Sequence, residues 1–163
     1  MKTIIIGLGN PILTDDGVGV LCALEIEKSL PFNTKAEIDV TEASVGGIRL
    51  METMVGYDRA IIIDAIMSKN GHKPGTIHKL TLDDLRDISP TQHSTSAHDT
   101  SLVTALEMGK RLDLHLPSQI QIYAVEVVNV SDFSETPNTA VTKAIPIVKS
   151  MVIEKILRNR SHL

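Results

Sequence analysis

Two adjacent carboxylates, Asp15 and Asp16, stand in the segment GLGNPILTDDGVG at positions 7–19, and a third, Asp64, closes the apolar run Ile61, Ile62, Ile63. An imidazole, His98, follows the polar, Ser- and Thr-rich stretch 89–97. Two carboxylates and one imidazole suit a borderline divalent ion such as zinc or nickel, and three protein ligands leave coordination positions open for a substrate. Taken singly, each residue has an ordinary alternative. An Asp at a helix start is a common cap, an Asp at a strand end is a common turn residue, and a lone His is more often structural. Their shared placement favours a site, because ligands in open α/β sheets collect at strand tips where the strand order reverses. Of the aspartate pair, one is expected to cap the next helix while the other stays free. Glu126, at the end of a strand, is a secondary candidate expected to be solvated. His93 shares the loop of His98, while His72, His78, His115 and His162 read as surface residues.

The glycines of the first motif suggest a phosphate loop, but the spacing argues otherwise. A dinucleotide fingerprint needs a third glycine where Ile12 stands, and a Walker loop needs a Gly-Lys-Ser/Thr ending that is absent. Asp15 and Asp16 would also repel a phosphate.

These residues need a scaffold, and the pattern of apolar runs supplies one. Residues 3–8 are continuously apolar and β-branched, which predicts a first, central strand covered on both faces. A helix follows, with Val20, Leu21, Cys22 and Leu24 on its apolar side, up to Pro31. Strands are predicted over 36–41 and 59–64, separated by a helix over 48–55 whose Ile48, Leu50, Met51 and Met54 are available for packing. Pro74 and Gly75 turn the chain into an alternating strand over 76–80, the mark of an antiparallel edge. His98 then opens a helix with Leu102, Ala105, Leu106 and Gly109 on one side and Asp99 and Thr100 as caps. Residues 119–127 form a fifth strand, 131–138 a polar loop, and Ile145, Val148, Val152 and Ile156 a closing helix that Pro146 starts or kinks. The expected fold is a three-layer α/β/α sandwich around a twisted, mostly parallel five-stranded sheet with one antiparallel edge strand, as a single domain over 1–163.

Composition narrows the function classes. The chain has 163 residues, a net charge of -4 and sixteen Lys and Arg residues scattered along it, so no phosphate-tracking surface is expected and a nucleic-acid partner is disfavoured. Aromatic residues are only 2% of the chain and Trp is absent, which leaves an aliphatic core. The single cysteine, Cys22, lies in an apolar pattern and implies a buried thiol in a reducing, cytoplasmic compartment. The apolar start of the chain meets Gly9, Asn10 and Pro11 far short of the ~20 residues of a membrane span, so no membrane insertion is expected. A monomer is the expected state.

The ordered motifs resemble those of the hydrogenase maturation proteases. GLGNPILTDDGVG matches the family pattern GxGNxxxxDDGxG throughout, and the resemblance continues through GGIRLMETMVGYDRAIIIDAI, PGTIHKL and SAHDTSL, covering nearly the whole chain. It implies that Asp16, Asp64 and His98 are the metal-binding and catalytic residues of an aspartic-type endopeptidase. It also implies that the nickel they meet is supplied by the substrate, the large-subunit precursor of a nickel-iron hydrogenase, whose C-terminal peptide is removed. Adventitious zinc or cadmium could occupy the same site, and whether Asp16 or Asp64 also activates water is left open by the resemblance. Two segments depart from the family pattern. Residues 41–44 replace an Asp-Gly-Gly segment and 125–130 replace a Gly-Ile-Gln-Pro-like segment; both are expected to flank the cleft, leave the identity of the hydrogenase partner open, and point to a subgroup serving a cofactor-reducing hydrogenase. Two rival readings remain at this level. A non-catalytic metal-binding assembly chaperone would use the same ligands without cleavage. A peptidyl-tRNA hydrolase shares Gly-Leu-Gly-Asn-Pro but needs a histidine segment that Asp15, Asp16 and Gly17 replace.

Overall fold

A computed structural model describes residues 1–34, 36–67, 71–87 and 97–160, with the backbone alone described at 33, 85–87, 97–101 and 159–160. Five strands form one sheet in the order β2-β1-β3-β5-β4. β1 (Thr3–Leu8), β2 (Ile38–Ala43), β3 (Arg59–Ile66) and β5 (Gln119–Glu126) run parallel, and β4 (Ile77–Thr81) pairs antiparallel with β5 at the edge. All eight residues of β3 and all six of β1 are buried, which explains why their sequences are apolar runs and not alternations.

Odd-numbered sheet positions Ile5, Ile61, Ile63, Tyr123 and Val125 pack with Cys22 and Ile26 of α1 (Val18–Ser29) and with Val148 and Val152 of α5 (Thr139–Arg160). Even-numbered positions Ile4, Ile6, Ile62 and Ile122 pack on the other face. Their partners are Leu50 and Met51 of α2 (Gly47–Thr53) and Leu102 and Leu106 of α4 (Ala97–Arg111). The sandwich is thus three-layered, with two aliphatic cores. The chain leaves β1 for β2 on one side and returns to β3 on the other, so strand order reverses between β1 and β3. Among the described residues no helix is long and apolar enough to cross a membrane.

Several expectations are corrected. β3, not β1, is the middle strand of the five. β2 begins at Ile38, after a 3-10 turn at Phe32–Thr34 in which the Thr34 hydroxyl donates to the Pro31 carbonyl at 2.6 Å. Leu24 and Ile48 are exposed, because the helical faces rotate them away from the sheet. A short helix, α3 (Leu82–Asp87), follows β4 where no element is read from the sequence; at its start the Asp84 N–H donates to the Thr81 hydroxyl, which in turn donates to Asp84 Oδ2. α5 begins seven positions before Pro146 and runs through it. Its start is set by Asn138, whose Oδ1 accepts the N–H groups of Ala140 and Val141 at 3.0 and 3.2 Å. Pro146 is on the exposed side, where water can satisfy the carbonyl that it deprives of a helical donor. Most of the 89–97 loop, His93 and His162 lie outside the described residues.

Candidate active site

The first motif folds back on itself at the tip of β1. Gly9 has φ 123°, and a Cβ there would collide with the Asp16 carbonyl, so only glycine admits the return of the chain. Gly19 sits between the Leu8 and Ile63 carbonyls with no room for a side chain, which seats the start of α1 directly against the tip of β1 and the neighbouring stretch of β3. This closeness presents Asp16 at the reversal point. The Asn10 N–H donates to Asp16 Oδ2 at 2.7 Å, and the Asp16 N–H donates to the Leu13 carbonyl at 3.0 Å. Oδ1 of Asp16 has no hydrogen-bond partner among the described residues.

Asp15 takes the opposite role, and the expectation that one aspartate caps α1 is corrected. The Thr14–Gly17 stretch forms a 3-10 turn, Gly17 occupies the cap position of α1, and no side chain caps that helix. The turn directs Asp15 inward, away from the first N–H groups of α1. Fully buried, its carboxylate accepts the N–H groups of Val128 at 3.3 Å, Asn129 at 3.1 Å and Asn138 at 2.7 Å, and the Asn138 side-chain amide at 2.6 Å. A buried carboxylate requires such donors, and backbone amides supply most of them here. The turn is strained: Thr14 has φ 48°, a left-handed conformation that costs a β-branched residue about 1–2 kcal/mol. Two hydrogen bonds offset it, from the Thr14 N–H to the Ser134 carbonyl at 2.8 Å and from its hydroxyl to the Asp132 carbonyl at 2.6 Å.

Asp64 lies within β3 and not at its tip, since the strand continues to Ile66. Its place is nonetheless an end, because β1 pairs with β3 up to Gly7 opposite Ile63 and stops at Leu8. Asp64 therefore sits where β1 runs out, 6% exposed, with Oδ1 accepting the Ala65 N–H at 2.8 Å. As an even-numbered position it faces the α2 and α4 layer. His98 is the second residue of α4, and its side chain is outside the described set, as are those of Asp99 and Thr100, which lie inside the first turn and not before it. The far end of α4 is fixed at the bottom of the sheet, where the Gly56 N–H donates to the His115 carbonyl and the Ser118 N–H to the Asp58 carbonyl. Over the 15 residues of α4, about 22 Å of helix, the His98 turn is carried to the opposite end, the end of Asp16 and Asp64. Among the described residues no three His, Cys, Asp or Glu side chains gather as a metal cage.

The segments that depart from the family pattern both touch this motif. The Gly9 N–H donates to the Ala43 carbonyl at 3.1 Å and the Ser44 hydroxyl to the Gly9 carbonyl at 3.1 Å, while residues 128 and 129 donate to Asp15.

Glu126 and His78 are corrected as well. Glu126 is 3% exposed, and its Oε2 lies 3.0 Å from His78 Nε2. The antiparallel register puts His78 opposite Ala124, diagonal to Glu126 on the face that Asp64 shares. The exposed His72 ring meets the His78 ring edge-on, with centroids 4.8 Å apart. His115 pairs with Asp58 at 3.1 Å, remote from the strand tips. Cys22 is buried, and burial pushes its thiol up to about 12, which removes it as a nucleophile. Sequence reasoning missed Asn10, Asn129 and Asn138, the residues that hold or flank the two aspartates; Asn138 carried a readable signal, as an Asn directly before a helical pattern.

Known proteins give an independent comparison. Residues 20–155 match a family model described as hydrogenase maturation protease. A Methanocaldococcus jannaschii protein assigned as a hydrogenase maturation protease is 34% identical over 115 residues, covering 69% of this chain and 66% of that protein. The hydrogenase 2 maturation protease of Escherichia coli is 27% identical over 159 residues, covering 96% of this chain and 89% of its own. In three dimensions the chain superposes on the hydrogenase maturating endopeptidase HybD from Escherichia coli with a TM-score of 0.80 at 22% identity, over 98% of this chain and 94% of that one. At that identity the superposition speaks for the fold alone.

Proposed function

This chain belongs to the hydrogenase maturation protease family, and from that premise we propose that it recognises nickel in the large-subunit precursor of a nickel-iron hydrogenase and removes the precursor's C-terminal peptide. Asp16, Asp64 and His98 complete the coordination of that nickel, which belongs to the substrate. What supports this reading is that Asp16, folded back against Gly9 after β1, and Asp64, placed where β1 stops pairing with β3, both stand by the point where strand order reverses, with the first turn of α4 at the far end of that helix from its fixed end at the bottom of the sheet. The Asn10 N–H holds one oxygen of Asp16 and leaves the other available to a metal. Coordination fixes the scissile peptide beside the ion and polarises it for hydrolysis, with Asp16 or Asp64 taking the proton of the attacking water. Three ligands of this chain suffice only when the precursor supplies the rest, so cleavage waits for nickel insertion.

The test is the intact mass of a co-expressed large-subunit precursor, with and without nickel, in the presence of this chain or its Asp16→Asn variant. Loss of a C-terminal peptide with nickel only, absent with the variant, is the expected result. Normal processing by Asp16→Asn refutes the metal role, and stable binding without a mass change points to an assembly chaperone.

A further inference from the structure

The loop that carries Asp16 does not end at the aspartates. Leu13 and Ser134 form an isolated parallel bridge, with the Ser134 N–H donating to the Ile12 carbonyl at 3.0 Å. One step back along both segments stand Ile12 and Phe133. They are 46% and 83% exposed. Single exposed apolar residues are ordinary, but these two flank one bridge, on segments that hydrogen bonds hold together. Thr14 and Asp15 bolt the two segments together through hydrogen bonds to residues 128–138. The surrounding charge has one sign. Besides the buried Asp15, residues 10–17 and 127–138 contain Asp16, Asp132 and Glu135 and no Lys or Arg.

We infer that this rim is the seat of the substrate's tail: a bulky apolar side chain of the precursor packs between Ile12 and Phe133, and a basic residue beside it is met by Asp132 and Glu135. The assignment rests on the protease reading above and deepens it. Ile12 belongs to the same loop as Asp16 and Phe133 to the loop bridged to it, so a segment held there lies beside the proposed metal site. Rigid, preordered loops lose little freedom on binding, which lets a small apolar anchor contribute strongly. The acidic border selects a basic flank and disfavours acidic tails.

The experiment is steady-state processing of nickel-loaded precursor by the wild type and by Phe133→Ser, Ile12→Ser and Glu135→Lys variants, with the Kd for the precursor measured in the same samples. The apolar variants should raise KM and Kd about tenfold or more while kcat stays within about twofold. Glu135→Lys should raise KM and flatten its dependence on salt. An unchanged KM in Phe133→Ser, or a fall in kcat at constant KM, overturns the inference. So does a change in oligomeric state alone, which would make the rim a contact between copies of this chain. A wild type that binds precursor but does not cut it overturns the protease reading, and the Kd shift of Phe133→Ser then decides the rim separately.

Discussion

Replacing two neighbouring aspartates should produce opposite phenotypes. Asp15→Ala removes the acceptor of four hydrogen bonds, three from backbone amides and one from the Asn138 side chain, at a fully buried position. Each buried donor left without a partner costs about 1–3 kcal/mol, and the Val128 bond is long, so the expected loss is about 3–6 kcal/mol. That is a large part of the roughly 5–15 kcal/mol typical of a whole domain. Asp16→Asn alters a carboxylate that accepts the Asn10 N–H at a half-buried position, and Asn keeps an oxygen for that N–H, so its cost is expected to stay under about 1 kcal/mol. Urea unfolding followed by far-ultraviolet circular dichroism measures both values, and precursor mass measures activity. In amide exchange, Val128, Asn129 and Asn138 should lose protection in Asp15→Ala and keep it in Asp16→Asn. A loss below about 1 kcal/mol for Asp15→Ala, or unchanged exchange at these three amides, refutes the view that Asp15 is the structural member of the pair.

Gly9→Ala should destabilise by about 2 kcal/mol or more and abolish processing, because the new Cβ meets the Asp16 carbonyl at a left-handed φ; wild-type cleavage by this variant would show that the Asp16 loop tolerates displacement. Cys22 should resist alkylation at pH 8 until the chain unfolds. Since its folded value lies at about 12 against 9.0 for the free thiol, the unfolded chain releases the proton first. The contribution of this group is therefore intact below pH 9 and falls by up to about 1.4 kcal/mol per pH unit as pH rises toward the folded value. Urea titrations of the wild type and Cys22→Ala at several alkaline pH values should differ in that slope.

Much of the scaffold is readable because it depends on local patterns. β1 and β3 announce themselves as unbroken apolar runs, the edge strand β4 as an alternation after Pro74 and Gly75, and α4 as a helical stripe ending on Gly109. Asp16 and Asp64 follow from these elements, since each is tied to the end of a strand. What escapes is set by partners far along the chain. Asp15 finds its donors 113 to 123 positions away, so nothing in its own neighbourhood distinguishes it from a helix cap. The burial of Glu126 depends on β4 lying antiparallel beside it, which brings His78 across from 48 positions away. The start of α5 is half legible: the polar loop 131–138 ends where the helix begins, but Pro146 competes as a start signal, and the cap that sets the boundary is a single Asn.

The clasp between Asp15 and Asn138 also dictates an order of assembly. Its closure joins two points 123 residues apart, an encounter whose entropic cost is about 4 kcal/mol for a flexible chain. A nascent polypeptide still lacking residues 128–138 can build β1, α1 and β2, yet it has nothing with which to shape the turn that presents Asp16. The Asp16 turn is thus expected to form late in folding, after the scaffold that carries it.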